Sequence, residues 1–162
     1  MERLEFYVER FLQFLNQHNT GSNHTLQSYQ YDIDEFCAFI RLEGIGDFNE
    51  VDRFVVNNYI MHLRRKTTKT GNLKNSSIAR KLSSLRSMYR YFNQYTDIVN
   101  NPFIYVKMPK QAKKIPEFLF YNEIITLLDS FDTSKKEDVR NRLLIEIMYG
   151  CGLRVSEVCS LQ

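Results

Sequence analysis

Ile78, Leu82, Leu85, Tyr89 and Phe92 fall at offsets of four, seven, eleven and fourteen, so all five share one face if the segment is a helix. A strand would need alternation instead, and no alternation of any length occurs along the chain. Ser76 and Ser77 offer the cap that starts this helix. Three earlier segments repeat the pattern. Leu4, Val8, Phe11, Leu12 and Leu15 predict a helix over residues 2–18 that stops near Gly21. Leu26, Tyr29, Ile33, Phe36, Cys37 and Ile40 predict a second, capped by Asn23 or Thr25 and ending in a turn with Gly44 and Gly46. Val55, Tyr59, Ile60 and Leu63 carry a third, over 51–66, and its basic tail runs into a polar loop over 67–72. Two further helices are expected over 121–131 and 138–149. The fold class is therefore mostly α, with at most one short extended piece near 115–119, and apolar content of 43% is enough to build a core.

A net charge of +3 would hardly single out a partner, but its distribution does. Residues 1–56 carry four Lys/Arg against ten Asp/Glu, residues 57–114 thirteen against one, and residues 115–162 five against eight. The basic middle third holds Arg64, Arg65, Lys66, Lys69, Lys74, Arg80, Lys81, Arg86, Arg90, Lys107, Lys110, Lys113 and Lys114. Such a segment meets either a polyanion or a large solvated face, and the acidic flanks favour nucleic acid. Residues 107–116 have two prolines and four lysines without helical period, as an extended tether does. The expected organisation is a helical domain over 1–105, a basic linker over 106–117 and a second domain from 118 to 162.

No apolar run reaches the roughly 18 residues of a membrane span, and Met1-Glu2-Arg3-Leu4-Glu5 is too polar for a signal peptide, so a cytoplasmic location without membrane contact is expected. Cys37, Cys151 and Cys159 sit among apolar residues without ligand spacing and read as reduced core thiols. His18, His24 and His62 are scattered, so neither metal nor cofactor is expected. Twelve Phe and ten Tyr fall mostly at core spacing, leaving Tyr31 and Tyr91 as the two candidates for stacking on bases.

Several blocks, in order, resemble the Xer and phage-integrase type tyrosine recombinases. Thr25-Leu26-Gln27-Ser28-Tyr29 with Asp32 and Phe36 is similar to the opening of that family's core-binding domain. Arg80-Lys81-Leu82-Ser83-Ser84-Leu85-Arg86 with Tyr89 is closer still to its Arg-x-Leu-Ser-x-Leu-Arg-x-x-Tyr run. Asn101-Pro102, the lysine-rich tether ending in Ile115-Pro116, Arg140-Asn141-Arg142-Leu143-Leu144 and Tyr149-Gly150-Cys151-Gly152-Leu153-Arg154-Val155-Ser156-Glu157 complete the series, the last block being the specific one.

The resemblance implies a four- to five-helix core-binding (SAM-like) bundle followed by a truncated, largely helical piece of a catalytic domain. It implies sequence-specific binding of double-stranded DNA, alongside other recombinase protomers on one site, in an enzyme that exchanges strands through a 3′-phosphotyrosyl intermediate. Helices two and four would meet the major groove through solvent-facing His24, Thr25, Gln27, Ser28 and Tyr31, and through Lys74, Ser76, Ser77, Arg80, Lys81 and Ser84. Lys110, Lys113 and Lys114 would follow the phosphate backbone. Arg154 would grip the scissile phosphate, with Glu157 orienting it. Without that context the same two residues form an i,i+3 surface pair. The family's later lysine, His/Lys-x-x-Arg block and nucleophilic tyrosine have no counterpart, since all ten tyrosines precede Arg154, so the chain alone is expected to bind without turning over. Two other readings stay open: a stand-alone DNA-binding regulatory module, and a helical protein–protein adaptor whose basic segment meets an acidic partner.

Overall fold

The apolar spacing becomes four long helices: α1 (Glu2–Gln17), α2 (Asn23–Leu42), α3 (Arg53–Arg65) and α4 (Asn75–Tyr95). They are seen in a computed structural model that describes residues 2–18, 23–68, 71–110 and 117–161. The chain divides into two compact units, residues 1–112 and 113–162, and these four helices form the first.

The residues picked out by periodicity make its core. Leu4, Phe11, Ile33, Phe36, Ile40, Tyr59, Leu63, Ile78, Leu82, Leu85, Tyr89 and Phe92 are all buried. Each fully buried side chain of this size contributes about 1.5–3 kcal/mol, so the interlocked aromatic centre is the main support of the unit. Phe48, on a single 3-10 turn (Phe48–Glu50), is at its middle, 5.0 Å from Phe92 and 5.9 Å from Tyr89 between ring centres. Asp47 and Asp52 start the 3-10 turn and α3 by accepting from the amides of Asn49 and Val55, each at 2.9 Å.

Four local expectations need correction. The loop over 67–72 contains a small antiparallel ladder, β1 (Thr67–Thr68) with β2 (Gly71–Asn72), which periodicity cannot show because each strand has only two residues. Helix α4 begins at Asn75, with Lys74 in the cap position and no side-chain cap bond, so Ser76 and Ser77 lie inside its first turn. The tether does not begin at 106. Arg86 Nη2 donates to the carbonyls of Phe103 at 3.1 Å and Val106 at 2.8 Å, and Val106 and Met108 pack on the core, so residues 106–110 belong to the first unit. Finally, Tyr91 is buried among Phe11 and Phe14, whereas Tyr31 is exposed. Gly21, Lys113, Lys114 and residues 115–116 of the anticipated extended piece lie outside the described residues.

The second unit contains α5 (Tyr121–Asp129), α6 (Lys136–Cys151) and the single turn α7 (Val155–Val158). Ile124, Leu128 and Val158 are buried there, but α6 has no buried residue, and Leu143 and Tyr149 are exposed. Cys37 is a buried core thiol as expected; Cys151 and Cys159 are exposed and are not. Among the described residues no helix is long and apolar enough to cross a membrane.

Candidate nucleic-acid interface

Asp32 is completely buried on α2, and α4 delivers its partners. Arg80 forms a fork on the carboxylate, with Nη1 to Oδ2 at 2.5 Å and Nη2 to Oδ1 at 3.0 Å. Lys81 Nζ donates to Oδ1 at 3.0 Å and Ser84 Oγ to Oδ2 at 2.9 Å. Residues 80 and 81 can both converge with 84 because positions four and three apart are neighbours on a helix surface. One turn along α2, Glu35 forms ion pairs with Lys81, at 2.6 Å, and with Lys66 just past the end of α3. Burial pushes the Glu35 carboxyl up, but hydrogen bonds from Lys66 and Lys81 outweigh it and hold the group below its usual range. The result is a continuous chain of contacts, Arg80–Asp32–Lys81–Glu35–Lys66, binding α2, α4 and the end of α3 together.

The two cations on Asp32 differ in exposure. The Lys81 side chain is 5% exposed, with its ammonium 4.9 Å from the centre of the Tyr31 ring, whereas Arg80 is 50% exposed. The expectation that Lys81 and Ser84 face solvent is thus corrected: buried Asp32 draws both inward, and half-buried Glu35 also holds Lys81. Arg80 alone of the three keeps guanidinium surface for a ligand. Sequence reasoning missed Asp32, Glu35 and Lys66 as members of the cluster. A signal existed for Asp32, which sits three residues after Tyr29 and four before Phe36, on the apolar face of its helix, where a carboxylate needs an internal partner.

Beside this cluster α2 and α4 enclose a concavity of about 300 Å³ lined by His24, Thr25, Ser28, Tyr29, Arg80 and Ser84. Five of these six were anticipated as DNA-facing from sequence. Gln27 and Tyr31 do not line this concavity; they line a separate hollow of about 430 Å³ on the α1 side of α2, with Leu12, Leu26, Gln30 and Asp34. Lys74 and Ser76 are exposed at the start of α4, and Ser77 is half-buried. Asn75 Nδ2 reaches the carbonyl of Lys110 at 3.3 Å, bringing that exposed lysine to the same helix end.

In the second unit, Gly152 ends α6 in the left-handed region at φ 64°, and the chain re-enters helix two residues later with Arg154 as the cap of α7. Glu157 grips Arg154 twice, accepting from its backbone amide at 2.7 Å and from Nη1 at 3.1 Å. An exposed i,i+3 pair of this kind stabilises by only about 0.2–0.5 kcal/mol, so its consequence is orientation. The Arg154 side chain remains 82% exposed. Among the described residues no cluster of His, Cys, Asp or Glu could hold a metal ion.

Taken by themselves, the two units define a class: a helical bundle whose second and fourth helices share a polar, cation-bearing groove, followed by a helical unit presenting an oriented arginine. Family comparisons agree. Residues 8–94 match the phage integrase N-terminal SAM-like domain, and residues 117–162 match the phage integrase family. The chain is 34% identical to tyrosine recombinase XerC of Bacillus subtilis (strain 168) over 99% of its length and 51% of that protein's. It is 37% identical to tyrosine recombinase XerC of Lacticaseibacillus casei (strain BL23) over 95% of its length and 50% of that protein's. The crystal structure of XerA recombinase superposes on 98% of this chain and 50% of that one, with a TM-score of 0.43 and 18% identity. The chain belongs to the phage integrase family of tyrosine recombinases, and it spans about half the length of the curated relatives it matches.

Proposed function

We propose that the first unit binds double-stranded DNA through the face shared by α2 and α4, as the core-binding portion of a site-specific recombinase. The carrying observation is the concavity of His24, Thr25, Ser28 and Arg80, in which a guanidinium is clamped at one edge by buried Asp32 and left open at the other. A pre-oriented planar fork suits paired acceptors on a guanine edge or a phosphate better than a mobile lysine does. Exposed Lys74 and Lys110 at the start of α4 supply backbone contacts beside it. Lys113 and Lys114 are further candidates for phosphate-backbone contacts. Lys81 and Ser84 serve by holding Asp32, and so Arg80, in place.

In the same reading the second unit contributes Arg154, oriented by Glu157, to the scissile phosphate. Charge develops on the non-bridging oxygens during transesterification, and a fixed guanidinium stabilises it without a metal. Strand exchange through a phosphotyrosyl link, by protomers assembled on one site in the cytoplasm, belongs to a protein that also carries the nucleophile.

Binding to a duplex measured across a salt series tests the proposal. Logarithmic affinity should fall linearly with logarithmic salt, by about 0.9 for each phosphate neutralised. Absence of duplex binding at low salt would overturn it.

A further inference from the structure

We infer that the β1–β2 hairpin and the cations at its base form a second DNA contact, a phosphate-backbone clamp beside the α2–α4 groove that is indifferent to sequence. The inference rests on duplex binding by that groove and adds Arg64 and Arg65 to the contact surface together with Lys74.

Charge supplies the first observation. No Asp or Glu occurs between Asp52 and Asp97, and the hairpin lies within that stretch. Arg64 and Arg65 on the last turn of α3 and Lys74 at the start of α4 are exposed, and none has an ion-pair partner among the described residues. Lys66, their neighbour, does have one in Glu35. The charge of Lys66 is therefore answered internally, while Arg64, Arg65 and Lys74 have no such partner among the described residues.

Backbone geometry gives the second. Thr67 pairs with Asn72 and Thr68 with Gly71, and the Leu73 amide extends the ladder by donating to the Lys66 carbonyl at 3.2 Å. The chain therefore leaves α3 and enters α4 side by side, which sets residues 65 and 74 on the two flanks of one narrow base. Gathering like charges at such a base is unfavourable unless an anion answers them, because screening in physiological salt extends over about 8 Å. The strands bear only Thr, Gly and Asn, small residues that let a phosphate approach the backbone and offer no large side chain to read bases.

Position supplies the third. The salt-bridge chain from Lys66 through Glu35, Lys81 and Asp32 to Arg80 runs directly from the hairpin base to the rim of the groove. Exposed Tyr31 stands beside that chain, 4.9 Å from Lys81. DNA seated on the α2–α4 face would thus have one sugar-phosphate strand at the hairpin.

The test compares the whole chain with R64A/R65A and with R64K/R65K on two mixed-sequence duplexes over a salt series, each fold being checked by circular dichroism. The alanine variant should bind both duplexes more weakly by the same factor, and its salt slope should be shallower by about 0.9 for each of the two contacts removed. The lysine variant, which keeps charge but not fork geometry, should retain the wild-type slope. An unchanged slope in the alanine variant, while the wild type binds, overturns the clamp and leaves the groove reading standing. Unequal losses on the two duplexes also overturn it, because the residues would then be reading bases. If the wild type itself fails to bind at low salt, the groove reading falls and the clamp with it.

Discussion

At residue scale the α2–α4 junction separates two cations that the sequence sets side by side. Lys81 is enclosed between Asp32 and Glu35, and removing one partner of a buried pair strands the other charges. Lys81→Ala should cost the first unit about 3–5 kcal/mol in urea denaturation. Arg80→Ala, at a half-exposed side chain, should cost much less stability while weakening duplex binding by about tenfold or more, the effect of a paired contact worth 1–3 kcal/mol. Equal destabilisation by the two would contradict this division. Tyr59 offers a separate check, because its ring is buried and its hydroxyl has no hydrogen-bond partner among the described residues. An unsatisfied buried hydroxyl costs about 1–3 kcal/mol, so Tyr59→Phe should leave stability unchanged or raise it; a clear loss would show that the hydroxyl has a partner.

Among the elements, acid should loosen the link between α2, α3 and α4. Glu35 is held below its ordinary value of 4.5, so its contribution is fully present above that pH and is lost as pH falls through the lower folded-state value. Urea midpoints should therefore fall with acidification below pH 4.5 more steeply in the wild type than in Glu35→Gln, and parallel curves would remove Glu35 from the account. The turn before α7 depends on a different constraint. A Cβ at Gly152 would meet nothing within 4 Å, so Gly152→Ala suffers only from its φ of 64°, a strain of about 1–2 kcal/mol. That strain should appear as lower stability of the second unit with the first unaffected. The four long helices were the legible part of this chain because burial imposes a period on thirteen or more residues in each; the two-residue ladder imposes none. The groove was half legible for a related reason: residue types on α2 and α4 showed polar surface, but only the packing of the helices reveals which polar side chains turn inward to Asp32. Arg154 and Glu157 were readable through local spacing, since their bond closes within one turn.

For the molecule as a whole, burial is unevenly shared. The first unit has an aromatic centre made from all four helices, whereas the longest helix of the second has no buried residue. Hydrogen exchange should accordingly show the strongest protection in α2 and α4 and markedly weaker protection in α5 and α6, and equal protection across both units would contradict it. The charge segments follow the same division of labour, with acidic side chains lining the α1–α2 groove of Glu5, Glu9 and Asp34, and exposed Arg64, Arg65 and Lys74 at the end of α3 and the start of α4. The most direct test of the groove reading is amide chemical-shift mapping of the full chain titrated with a duplex. The account predicts shifts concentrated in residues 24–31 of α2 and 74–84 of α4, including the Arg80 guanidinium resonance. Shifts confined to α1 and the outer side of α2, or none at all at low salt, would contradict it.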